Sequence, residues 1–135
     1  MSATDNRPVF LNLLRIRQPV TAVVSIFHRI SGVVMILLLP GLVYLLNLSL
    51  SNQTGFSQVA ALLTSPTLKI LAVLFCWALT HHVLAGIRFM LLDFDVGIER
   101  DTARKAAWLV QVGALVVTAV LASLIFGVLP LGAQS

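Results

Sequence analysis

Hydrophobic positions dominate three parts of the chain, and polar positions gather between them. Ile30 to Leu50, Ile70 to Ile87 and Ala106 to the C-terminus contain no Asp, Glu, Lys or Arg. A helix needs roughly 20 mostly apolar residues to cross a bilayer, and each stretch reaches that length once extended into its flanks. The pattern predicts an all-α integral membrane protein with three transmembrane helices, at about 21–50, 67–92 and 105–129, in a single membrane domain over 1–135.

The connections are short. "SNQTGFSQVAALLTSP" places Phe56, Val59, Leu62 and Leu63 at helical spacing, so a small interfacial helix and an ordinary loop are both open there. "DFDVGIERDTARK" alternates acidic and basic residues around Gly97 and reads as a solvated loop. Pro40 falls inside the first span, where neighbouring helices can tolerate a kink. Cys76 stands alone in the second span and reads as a small apolar packing residue.

Composition agrees with this layout: 59% of residues are hydrophobic and 10% charged, against about 25% charged in soluble domains. The polar lead Met1 to Gln18 is long and lacks a cleavage site after a short apolar core, so the first span reads as retained rather than as a signal peptide. The basic residues then give an orientation. Arg7, Arg15, Arg17 and Arg29 precede or open the first span, and Arg88, Arg100, Arg104 and Lys105 surround the second connection. The first connection has Lys69 alone. Excess Lys and Arg mark the cytoplasmic side, so the N-terminus is expected inside and the C-terminus outside. The net charge of +4 belongs to this topology and not to nucleic-acid binding.

Two polar groups enter the apolar segments. Ser25, His28, Arg29 and Gly32 fall at i, i+3, i+4 and i+7, one face of a helix. A hydroxyl, an imidazole and a guanidinium together can hold an anionic or carbonyl-bearing ligand, with Gly32 allowing a flat group to approach the backbone. Snorkelling to the headgroups is the competing reading for Arg29. In "THHVLAGIR", His81 and His82 lie about 9–10 Å deeper than Arg88 at 1.5 Å per residue. Either could bond to a neighbouring helix or, because imidazole suits iron, ligate a metal. Adjacent residues differ by about 100° around a helix, so the two cannot share one iron. Gly86, at i+4 from His82, would clear a porphyrin surface; this makes His82 the better ligand and His81 a packing or hydrogen-bonding residue.

The run "RPVFLNLLRIRQPVTAVVSIFHRISG", together with "HVLAGIRFMLLD", resembles the cytochrome b membrane-anchor subunits of bacterial succinate dehydrogenase (succinate:quinone oxidoreductase, respiratory complex II) over nearly the whole chain. Phe89 departs from the pattern, standing where a second histidine is often found, as does "DFD". The resemblance implies haem b with His82 as an axial iron ligand, the second ligand coming from another subunit. It implies haem-propionate contacts at His28 and Arg29, and a ubiquinone site at Ser25 and Arg29. It also implies three partners: a second three-helix anchor subunit that completes a helical bundle, an iron–sulfur subunit and a flavoprotein, all at the bacterial inner membrane. The chain has no flavin-binding fingerprint and no cysteine cluster, so on this reading it is a non-catalytic subunit that does not oxidise succinate alone. A haem-free fumarate reductase anchor and a small transport or assembly protein are the rival classes. The spans contain no acidic residue, which argues against a proton-path transporter.

Overall fold

The computed structural model describes residues 18–128. Among them are four α-helices, α1 (Val20–Ser51), α2 (Gln53–Leu63), α3 (Pro66–Asp93) and α4 (Arg100–Val128), and no strand. Three are long and apolar enough to cross a membrane, Val20–Ser51, Pro66–Asp93 and Arg100–Gly127. The all-α, three-span architecture expected from the hydropathy is present. Arg7, Arg15 and Arg17, and the end of the third predicted span beyond Val128, lie outside the described residues.

Pro19 sits at the start of α1 with φ −65°, the angle its ring imposes, and its carbonyl accepts from Ala22 N–H at 2.9 Å. The helix then runs through Pro40 as one element. It stops at Asn52, whose backbone is fully extended. The Asn52 side chain turns to the next element, Oδ1 accepting from Gly55 N–H at 2.7 Å to cap α2. The first connection is thus a helix rather than an irregular loop. It folds back on α1 through buried Gly55 and Val59, while Phe56 and Leu62 stay exposed. Gly55 is obligatory at this corner, because a β-carbon there would collide with the Leu48 carbonyl.

Ser65 caps α3, its Oγ accepting from Leu68 N–H at 3.3 Å, with Pro66 at the first helical position. The other end of α3 closes in a Schellman motif. Val96 N–H donates to Leu91 O at 2.9 Å and Asp95 N–H to Leu92 O at 3.0 Å, with Asp95 itself left-handed at φ 59°. Gly97, at φ 75°, turns the chain towards α4. The solvated loop expected over "DFDVGIERDTARK" is shorter than its sequence pattern suggested. Arg100 to Lys105 belong to α4, which starts with Ala103 N–H donating to Glu99 O at 2.8 Å. Asp101 in the first turn suits the positive end of the helix dipole.

Long helices with little hydrophobic drive between them associate through small residues that let backbones approach. Ala78 and Ala85 of α3 and Ala107 and Ala114 of α4 are fully buried, and a β-carbon on Gly113 would stand 3.5 Å from Leu84 Cδ1. Val24, Ala85, Ala107 and Val110 form the core where α1, α3 and α4 meet. This tight junction lies beside the histidines and fixes their positions.

Candidate functional site

The segment from His28 to Gly32 on α1 faces the segment from His82 to Gly86 on α3. Counted from Val20, His28 lies about 12 Å along α1 at 1.5 Å per residue, inside the span rather than at its tip. Each helix offers a glycine to the histidine of the other. A β-carbon on Gly32 would stand 3.2 Å from His82 Cε1, and one on Gly86 would stand 3.7 Å from His28 Nε2. The two imidazoles stack with centroids 4.1 Å apart and planes 17° from parallel. Phe89 closes the stack edge-on, 5.2 Å from His28. The sequence reading gave both glycines to a ligand; in the structure the flat groups that use this space are the two imidazoles themselves.

His82 is held through one nitrogen. Its Nδ1 lies 3.2 Å from Ser31 Oγ and 3.2 Å from the His28 carbonyl oxygen. Ser31, fully buried, also donates its hydroxyl proton to that carbonyl at 2.8 Å. Both polar contacts of the ring are therefore at Nδ1. The ring is half-buried, and no hydrogen bond is made at Nε2 among the described residues. Sequence reasoning passed over Ser31 although it lies inside the Ser-x-x-His-Arg-x-Ser-Gly run; its place three residues after His28 is the signal that marks it.

Ser25 is half-buried one turn before His28, and Arg29, about 100° further round α1, is exposed. The structure thus joins His28 to His82 and leaves Arg29 on the outer surface of the same helix. His81 faces elsewhere. It is fully buried, with Nε2 3.1 Å from Gln111 Oε1 on α4, edge-on to Phe27 at 5.9 Å and tilted on Trp77 at 5.9 Å. Gln111, an amide within an apolar run, is a second residue that the sequence reading did not single out.

Two cations taken as flanking charges are buried in the structure. Arg88 folds against α4, Nη2 donating to the Ala103 carbonyl at 3.3 Å, with its guanidinium 5.5 Å from the Phe89 ring. Lys69, at the start of α3, places Nζ 5.4 Å from the ring of Phe126, so it braces α3 against the far end of α4. A cleft of about 1090 Å³ opens between the beginnings of α1 and α4, lined by Thr21, Phe27, Trp77, Arg104 and Trp108 among others. Neither Ser25 nor Arg29 lines it. No cluster of three or more His, Cys, Asp or Glu is present among the described residues.

Three apolar spans with a stacked histidine pair between α1 and α3 define a multi-pass membrane protein with a polar site inside its helices. The chain belongs to the succinate dehydrogenase/fumarate reductase transmembrane subunit family, whose sequence pattern matches residues 3–121. It is 33% identical over 107 residues to the succinate dehydrogenase cytochrome b556 subunit of Coxiella burnetii, covering 78% of this chain and 86% of that one. The subunit of the same name from Paracoccus denitrificans is 30% identical over 121 residues, covering 90% and 92%. A succinate dehydrogenase hydrophobic membrane anchor subunit from Archaeoglobus fulgidus is 27% identical over 81 residues, covering 60% and 69%. The family, the three spans and the bacterial relatives place the chain in the bacterial inner membrane as a multi-pass subunit.

Proposed function

We propose that the chain carries one axial ligand of haem b and part of the ubiquinone site in the membrane anchor of a succinate:quinone oxidoreductase. One observation carries the reading: the His82 imidazole is pinned at Nδ1 by Ser31 and the His28 carbonyl, which leaves Nε2 without a hydrogen-bond partner among the described residues. Haem-ligating histidines commonly have this arrangement, the remote nitrogen bonded to a carbonyl or similar acceptor while the near one binds metal. The residues present therefore fit the haem that the relatives' name, cytochrome b556, describes in those proteins. When bound, the haem supplies one-electron storage next to the quinone.

The remaining roles are those the family resemblance implies. His28 and Arg29 provide cationic or donor groups for the haem propionates, so that charges in a low-dielectric site are paired. Ser25 donates a hydrogen bond to a ubiquinone carbonyl. Arg29, exposed on the outer side of α1, offsets the negative charge that develops on the quinone oxygen during reduction. Electrons reach this place from succinate through a flavoprotein and an iron–sulfur subunit on the cytoplasmic side. A second three-helix anchor subunit covers the His28–His82 face and gives the other iron ligand.

Affinity purification of the tagged chain from detergent-solubilised membranes tests this. The flavoprotein, the iron–sulfur subunit and a second anchor should copurify, with succinate-driven ubiquinone reduction. A chain that purifies without those subunits and without that activity would overturn the reading.

A further inference from the structure

We infer that Ser31 is a positioning residue for His82: its hydroxyl, acting with the His28 carbonyl, fixes the imidazole as the Nδ1–H tautomer, so that Nε2 carries the lone pair. The inference rests on the haem reading above and assigns the device that makes His82 a competent ligand.

The hydrogen-bond directions leave one solution. A backbone carbonyl can only accept, so the ring nitrogen 3.2 Å from the His28 oxygen has to donate to it. The Ser31 hydroxyl has one proton, and that proton is directed to the same carbonyl at 2.8 Å. Its oxygen is then free to accept, and it too stands 3.2 Å from His82 Nδ1. The Nδ1–H is therefore shared between two acceptors, and in a neutral ring Nε2 must be unprotonated. No proton would have to leave or arrive on ligation, because the Nε2 lone pair is already unprotonated.

The ring plane is fixed as well as the tautomer. Gly32, next to Ser31, gives the imidazole its seat, since a β-carbon there would press on Cε1 at 3.2 Å. The His28 ring lies on one face of His82 at 4.1 Å. Ser31 is fully buried, so water does not replace its hydroxyl when it is removed. The sequence "HRISG" thus supplies three services to a histidine fifty or more residues away: a carbonyl from His28, a hydroxyl from Ser31 and a gap at Gly32.

A ligand whose remote N–H is hydrogen-bonded is more basic and favours ferric iron. In the purified complex, Ser31→Ala should keep a b-type spectrum but shift its midpoint potential upward, change its low-spin ferric resonance, and weaken haem retention about 10-fold. Ser31→Thr, which keeps the hydroxyl, should restore the potential wherever its methyl is accommodated. A Ser31→Ala complex with normal haem content, potential and resonance would overturn the inference. Should Ser31→Ala fail to assemble, the wild-type complex gives the answer directly. In its reduced, diamagnetic state with 15N-labelled histidine, His82 Nδ1 should carry a slowly exchanging, hydrogen-bonded proton. An Nδ1 that is unprotonated, or whose proton exchanges at once, refutes the assignment. Failure of the haem reading itself looks different: the wild-type complex then shows no haem, or keeps its haem when His82 is replaced.

Discussion

At the scale of single residues, the pair His28–Arg29 shows how neighbouring positions on one helix are given separate tasks. The helical step of about 100° turns His28 inward against His82 and leaves Arg29 exposed. Sequence spacing put both on one broad face and could not show that His28 would stack on another imidazole. That His81 and His82 face different ways was legible, because neighbours in a helix differ by about 100°; the partners that separate them, Ser31 and Gln111, lie on other helices and were not. The outward position of Arg29 leads to a prediction. Ser25→Ala and Arg29→Leu should each lower ubiquinone reduction by up to about 100-fold, the loss typical of removing one donor to a developing charge. Succinate oxidation with a soluble artificial acceptor should persist in the same preparations. Full quinone reductase activity in an assembled Arg29→Leu complex would mean that the guanidinium merely reaches for the headgroups.

At the scale of elements, the hydropathy pattern defined the three long helices to within a few residues, because an apolar run of that length has few other folded solutions. It was weakest where polar residues continue a helix. The run from Arg100 to Lys105 looked like a loop by charge, yet the helix begins there, with Asp101 at its positive end and Glu99 O accepting from Ala103 N–H. The corner between α1 and α2 was also undecided by spacing, and the structure resolves it through Asn52 and Gly55. Backbone contact at that corner makes a sharp comparison possible. Gly55→Ala forces a β-carbon onto the Leu48 carbonyl and should destabilise the fold by about 1–3 kcal/mol, the usual cost of overpacking. Gly41→Ala, where a β-carbon meets nothing within 4 Å, should be close to neutral. Thermal inactivation of the detergent-solubilised complex measures both; equal midpoints for the two variants would remove Gly55 from this role.

At the scale of the whole molecule, the described residues form a small helical bundle whose spans expose many large apolar side chains. Ile36, Leu37 and Leu50 remain 70%, 71% and 77% exposed, as suits helices surrounded by lipid and by partner helices. Arg88 and Lys69 tie α3 to the two ends of α4, so the buried cations hold the bundle rather than extend its charged rim. The basic residues around the second connection outnumber the single Lys69 of the first, and the positive-inside preference then predicts Gly97 in the cytoplasm and Gln53 outside. Reporter fusions at those two positions should behave accordingly. The reverse labelling would put Ser25 and Arg29 on the side away from a cytoplasmic iron–sulfur partner. The central claim, that His82 binds haem iron in this anchor, is tested most directly by the reduced-minus-oxidised spectrum of the purified complex carrying His82→Ala, beside wild type and His81→Ala. The account predicts a b-type band in wild type, loss or severe reduction of it in His82→Ala, and its survival in His81→Ala, where a buried bond to Gln111 is lost but no ligand. A band that persists in His82→Ala and disappears in His81→Ala would contradict it.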